Sequence, residues 1–321
     1  MSRRVSRILR ATVVAATVLA LTACAGTAAP AGSSAHADLR LQLRFLANAQ
    51  FAGSYLAEQD GYDKKENLSV KIVPGGPAVG IDSIVTQGAA DIGISAVANV
   101  ARAVAQGSDE EIIAAGYQHD PTILLSLPTD PIRTPQDLKG KRIGAIASEF
   151  ADVEVYLKAN GIPKSDVTLV PIQGDPAPLV AGLEALGRTP VIQRLADFGF
   201  DGLDLVYVVT KRSLQDPARR AAIVRFLRAE IDGWKAALAD PTAGAKLAVD
   251  VYGKGVGFDL AQETTSAKEQ ASLFAPDPGS PGILWMSDEA IARSLATLKK
   301  SGVPGSTALF DTSLLKEIYH D

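Results

Sequence analysis

Arg44–Asn99 reads RFLANAQFAGSYLAEQDGYDKKENLSVKIVPGGPAVGIDSIVTQGAADIGISAVAN, and its punctuation decides the fold. A strand over Leu41 to Leu46 breaks at Asn48-Ala49-Gln50 and gives way to a helix carrying Phe51, Tyr55 and Leu56, which ends at Gly61. Leu68, Val70 and Ile72 alternate with Ser69 and Lys71, the period of a half-buried strand, and Pro74-Gly75-Gly76-Pro77 stops it. A helix spans Val79 to Gln87. Asp91-Ile92-Gly93-Ile94 forms a third strand, Ser95 is a candidate cap, and Val97 to Ala105 returns as a helix. Strands that alternate with helices pair in parallel through crossovers, and ligands of such sheets sit beyond the carboxyl ends of the strands. Those ends bring Asn48, Gln50 and Phe51, then Pro74, Gly75 and Gly76, then Ser95 and Asn99 to one side of a predicted ligand cleft.

Towards the start of the chain, Arg3, Arg4, Arg7 and Arg10 precede the apolar run Ala11 to Leu21, the plan of an export signal. That run is shorter than the roughly 20 residues a membrane-spanning helix needs. Leu21-Thr22-Ala23-Cys24 resembles a lipoprotein box, so residues 1–23 are expected to be a signal peptide and Cys24 the lipidated first residue of an exported protein anchored to the outer face of the cell membrane. Cys24 is the only cysteine, which excludes an intrachain disulfide. Residues 24–38, rich in Ala, Gly, Ser and Pro, are expected to be a flexible tether.

The 321 residues suffice for two lobes with separate cores. A net charge of -4 gives no footprint for nucleic acid. Ile112 to Tyr117 is a strand that leaves the first lobe, with Gln118, His119, Asp120 and Pro121 at the crossing. In the second lobe Thr134, Pro135 and Gly140 cap, start and end a helix. The strand Arg142 to Ala147 delivers Ser148 and Glu149 to the start of a helix that runs to Gly161. Free N–H groups there attract an anion, whereas Glu149 repels one; the same carboxylate also favours a helix N-terminus while facing solvent. Val191 to Leu195 leads to Asp197-Phe198-Gly199, in which Asp197 is either a ligand for a polar ring nitrogen or a turn former. Leu205 to Thr210 is a strand that returns the chain to the first lobe, and the remaining third is mostly helical, with Trp234 in the core and Trp285 a packing anchor.

NAQFAG, AEQDGY, VKIVPGGPAV, GAADIGIS, GYQHDP and TPQDLKGKRIG resemble successive motifs of the NMT1/THI5-like and SsuA-like periplasmic binding proteins. The resemblance implies an α/β, two-lobe type II periplasmic binding protein, its ligand cleft between lobes joined by two crossover segments. It divides the chain into 39–118 for the first part of lobe 1, 119–205 for lobe 2, and 206–321 for the return to lobe 1 with the C-terminal helices. It also implies a monomer that needs no cofactor and no metal, feeding a small molecule to the permease and ATPase of an ABC importer, with Tyr117 and Gln118 added to the cleft. One departure stands out. Relatives continue from a PLVAG-like helix into a VDA-like strand and an NEP-like loop, whereas this chain passes directly from Gly182 to Leu183, so lobe 2 is shortened there.

For cargo, Asn48, Phe51, Tyr55 and Tyr117 offer amide and stacking contacts while Glu149 and Asp197 discourage anions, which favours a heteroaromatic such as a thiamine pyrimidine precursor. Alkanesulfonate, taurine and nitrate are the alternatives within the family. A pyrimidine-synthase-like enzyme and a degenerate, non-binding lipoprotein are the alternatives outside it. The chain carries no GxSxG, HExxH, CxxC or Walker motif, and DFG appears without its kinase companions.

Overall fold

The computed structural model describes residues 35–76, 79–145, 150–172 and 187–320. The expected signal peptide, Cys24, Ser148, Glu149 and the junction at 182–183 lie outside the described residues.

Strands β1 (Ala37–Gln42), β2 (Leu68–Val73), β3 (Ile92–Ser95) and β4 (Glu110–Tyr117) alternate with helices α1 (Ala52–Gln59), α2 (Tyr62–Lys65), α3 (Ile81–Thr86) and α4 (Val97–Ala105). β1 begins four residues before the predicted Leu41, because Ala37 to Gln42 pairs in parallel with Leu68 to Val73 along its whole length. The strand β9 (Asp204–Thr210) comes back from far along the sequence and inserts antiparallel between β3 and β4, giving the order β2-β1-β3-β9-β4. Every residue of β9 is buried, which is why DLVYVVT reads as an almost unbroken apolar run rather than an alternation.

The second lobe begins after β4. β5 (Ile123–Ser126) pairs antiparallel with β8 (Val191–Arg194), and β6 (Arg142–Ala145) pairs in parallel with β7 (Thr168–Pro171). α5 (Phe150–Ala159) packs on them. Pro135–Leu138 forms a single 3-10 turn instead of a longer helix, closed by a capping box between Thr134 and Asp137. Among the described residues no strand joins the β5–β8 pair to the β6–β7 pair. Ile123, Leu127 and Ile192, on or beside the β5–β8 ribbon, are 42%, 38% and 57% exposed.

The chain then continues through α6 (Lys211–Gln215), α7 (Pro217–Ala239), α8 (Pro241–Leu247), α9 (Leu260–Gln270), α10 (Asp288–Ser301) and α11 (Ser313–His320). Asp216 caps α7 by accepting from the N–H groups of Ala218 and Arg219, with Pro217 at the first helical position, as its sequence signature predicts. α1 and α7 cross almost at backbone contact: a Cβ on Gly53 would lie 2.1 Å from the Trp234 ring, and one on Gly233 would lie 2.3 Å from the Gly53 carbonyl oxygen. Trp234 is fully buried there, its ring 4.0 Å from that of Phe274. Trp285 packs edge-on against Tyr319 and His320.

Burial separates two apolar cores. One gathers residues from Leu39 to Tyr117 and again from Leu203 to Leu315; the other gathers residues from Leu138 to Phe200. The chain crosses between them at Gln118–Thr122 and again at Gly199–Leu203.

Candidate functional site

The two crossings are knotted together by one carboxylate. Asp201 Oδ1 accepts from the backbone N–H of Asp120 at 3.1 Å and of Gly202 at 2.8 Å, and its Oδ2 lies 2.9 Å from His119 Nδ1. Arg293 of α10 reaches Asp201 at 3.5 Å and donates to the Gln118 carbonyl at 3.2 Å. α10 also holds the second crossing through Ser294 Oγ, which accepts from Leu203 N–H at 2.9 Å. His119, which the sequence places at the crossing, is half exposed and takes part in this knot.

A cavity of about 50 Å³ lies above the knot, between the cores. Ala96, Val97 and Ala98 at the start of α4 line it from the first lobe, Asp152 and Phe200 from the second, Asp120 and Asp201 to Asp204 from the crossings, and Ser294, Thr297 and Leu298 from α10. Three of these carboxylates set its electrostatics. Asp204 is held bidentately by Arg44, with guanidinium-to-carboxylate distances of 2.7 and 2.9 Å. Asp152 accepts from Arg102 at 3.0 Å. Asp120 accepts from Thr122 N–H at 2.8 Å; burial, and secondarily the negative Asp204, push its carboxyl up to about 7. Burial also raises Asp152, and the Arg102 guanidinium opposes that rise. Among the described residues no group of three or more His, Cys, Asp or Glu side chains is arranged to hold a metal ion.

Among the described residues, none of those expected to bind ligand lines this cavity. Asn48 caps the turn after β1, its side-chain oxygen accepting from Gln50 N–H at 3.1 Å. The same turn is gripped from α9, where Glu263 accepts from Ala49 N–H at 2.7 Å and Gln270 donates to the Ala49 carbonyl at 2.8 Å. Phe51 is not a cleft residue: it is 0% exposed, because the turn directs its ring into the first core. Tyr117 is likewise only 3% exposed, and its hydroxyl donates to Gln270 at 2.9 Å. Ser95 is not a cap; it ends β3, buried, with its hydroxyl 3.4 Å from Asp82, and Ala96 takes the cap position. Gln118 is buried and donates to the Ala115 carbonyl. Pro74 is exposed, Gly75 and Gly76 are half-buried in the turn after β2, and Gly75 N–H donates to the Phe45 carbonyl at 2.9 Å. Asn99 is exposed and accepts from Arg102 at 3.0 Å. Asp197 is exposed in a 3-10 turn and stands off the cavity, as a turn former does.

Of the carboxylates that line the cavity, Asp120 is legible in sequence as a charged residue at the crossing, while Asp152, Asp201 and Asp204 carry no such signal. Arg44 and Arg102 do not line the cavity but pair with Asp204 and Asp152. Arg44 and Asp204 pair across 160 positions of sequence, for which no local pattern exists.

Two cores, a five-stranded sheet with one returning antiparallel strand, and a cavity at the double crossing define the two-lobe, type II periplasmic-binding-protein fold. Residues 48–244, more than half of the chain, match the family described as NMT1/THI5 like, and the chain belongs to that family. A Haemophilus influenzae protein assigned to thiamine biosynthesis is 26% identical over 149 residues, which are 46% of this chain and 47% of that protein. The 4-amino-5-hydroxymethyl-2-methylpyrimidine phosphate synthase of Legionella pneumophila is 28% identical over 114 residues, 36% of either chain. The chain thus spans less than half the length of these curated relatives. Among solved structures, the alkanesulfonate-binding protein SsuA of Xanthomonas axonopodis pv. citri, bound to MOPS, has the same fold, with a TM-score of 0.56 and 17% identity over 86% of this chain and 96% of its own.

Proposed function

We propose that this protein captures a small, donor-rich heteroaromatic of the thiamine-pyrimidine type between its lobes and delivers it to the permease and ATPase of an ABC importer. The charge pattern of the cleft carries the reading. Asp120, Asp152 and Asp204 line the cavity, while Arg44 and Arg102 are each committed to one of those carboxylates. An incoming sulfonate or nitrate meets net negative charge, whereas a ring bearing amino groups finds acceptors, with Phe200 as an apolar wall. The Haemophilus relative's assignment to thiamine biosynthesis supports the same cargo. Alkanesulfonates and taurine are the competing cargo.

A cavity of about 50 Å³ is too small for a ring, so cargo enters as the lobes part and is enclosed when they shut. Closure around cargo selects the form that an importer recognises. Export, anchoring by lipidated Cys24 and action as a monomer belong to this proposal. The Legionella synthase favours a second reading, an enzyme of pyrimidine synthesis. Against it, His36, His119 and His320 all lie outside the cavity lining, and the sole cysteine is Cys24.

Thermal unfolding of the full chain with a panel of aminopyrimidines, flavins, taurine, alkanesulfonates and nitrate tests the assignment. A ligand at a hundred times its dissociation constant adds about 2.7 kcal/mol. Stabilisation by aminopyrimidines alone is expected. Stabilisation by a sulfonate alone would replace the cargo, and turnover to a pyrimidine phosphate would replace the function.

A further inference from the structure

Arg102 and Asp152 belong to different lobes. Arg102 lies in the last turn of α4, whose Val97, Val100 and Ala101 are in the first core, and Asp152 lies in the first turn of α5, whose Val153, Tyr156 and Leu157 are in the second. One terminal guanidinium nitrogen donates to Asp152 Oδ1 at 3.0 Å. The other donates to Asn99 Oδ1, one turn back on α4, also at 3.0 Å, so the guanidinium is held before it meets the other lobe. The two side chains are 29% and 28% exposed, so solvent and salt reach the pair. The neighbouring charges Arg44 and Asp204 are bound to each other and offer neither member a better partner.

We propose that Arg102 and Asp152 form a latch that holds the two lobes together independently of any ligand, with Asn99 as its positioning residue. The latch goes beyond solute capture, because it concerns the chain before cargo arrives and is the same whatever the cargo is. Every ligand then competes with a closed form that satisfies its own charges. Apparent affinity falls in proportion to the fraction of molecules that are open, and salt, which screens the pair, raises that fraction.

Single-molecule energy transfer on the full chain reads the latch without any ligand. Dyes go on cysteines introduced at exposed Gln87 in the first lobe and exposed Ser165 in the second, in a Cys24→Ser background. The open population should grow as salt rises from about 0.02 to 0.5 M. Arg102→Ala should enlarge it about two- to fivefold at low salt and abolish the salt response. Asn99→Ala should fall between the two. The reversed pair, R102D with D152R, should restore the closed population, which separates lost pairing from damage to either helix. An Arg102→Ala distribution and salt response equal to the unsubstituted chain's, or a reversed pair as open as Arg102→Ala, would overturn the proposal.

Discussion

Gly75 occupies a position where no side chain fits. Its N–H is bonded to the Phe45 carbonyl, and a Cβ there would lie 2.2 Å from the Leu43 carbonyl oxygen, so the turns after β1 and β2 touch through backbone. Buried Gln42 locks the same junction, donating to the carbonyls of Leu43, Val73 and Pro74 at 3.1 to 3.2 Å. Gly75→Ala should therefore destabilise by about 1–3 kcal/mol, a drop of several degrees in Tm. Gly76→Ala should be nearly neutral, since its Cβ would meet only Val79 Cγ2 at 3.8 Å. Equal melting temperatures for the two variants would contradict this account. The Pro-Gly-Gly punctuation told correctly where β2 stops, yet the reason for Gly75 is packing between two turns that lie thirty residues apart in sequence, and its assignment to ligand contact did not follow. Phe51 and Tyr117 were misplaced for a similar reason. An aromatic at a strand end has two faces to choose from, and only the assembled core decides.

At the scale of elements, α1, α7 and β9 meet around a buried carboxyl. Glu230 Oε2 accepts from Tyr207 Oη at 2.6 Å and Ser54 Oγ at 2.8 Å, while Trp234 donates to Tyr207 at 2.8 Å. Burial raises Glu230 from 4.5 to about 8, helped by negative Asp63 and opposed by its hydrogen bonds. The native state thus binds this proton more tightly than the unfolded chain does. That contribution is complete below about pH 4.5 and is lost as pH rises towards about 8. Glu230→Gln keeps an acceptor for Tyr207 and Ser54 but cannot ionise. Its stability relative to the parent should rise between pH 5 and pH 8, by up to a few kcal/mol. A difference in Tm that stays flat across that range would show that Glu230 does not titrate with folding. The elements themselves were largely legible: caps such as Thr134 and Asp216, the period-two pattern of β2 and the apolar run of β9 are local signals. What local signals cannot show is insertion of β9 between β3 and β4, which depends on pairing between residues as distant in sequence as Gly93 and Val208 or Glu110 and Thr210.

For the whole molecule, the two-core division, the double crossing and the type II fold follow from an alternation of strands and helices that returns to its first sheet. The binding chemistry was not visible at this scale. It was expected from Glu149, which lies outside the described residues, and Asp197, whereas the described carboxylates that line the cavity are Asp120, Asp152, Asp201 and Asp204, drawn from the two crossings, a helix and a returning strand. In the proposed function this acidic cleft selects a donor-rich ring over an anion, with Asp120 as an acceptor that has no arginine of its own. Calorimetric titration of the full chain with 4-amino-5-hydroxymethyl-2-methylpyrimidine, with ethanesulfonate as the anionic comparator and Asp120→Asn as the altered chain, tests it most directly. The account predicts saturable one-to-one binding of the pyrimidine above about pH 8, where Asp120 is ionised, weakened at least about tenfold in Asp120→Asn by loss of that charged acceptor, and no heat from the sulfonate. Saturable binding of ethanesulfonate, with none of the pyrimidine, would contradict it.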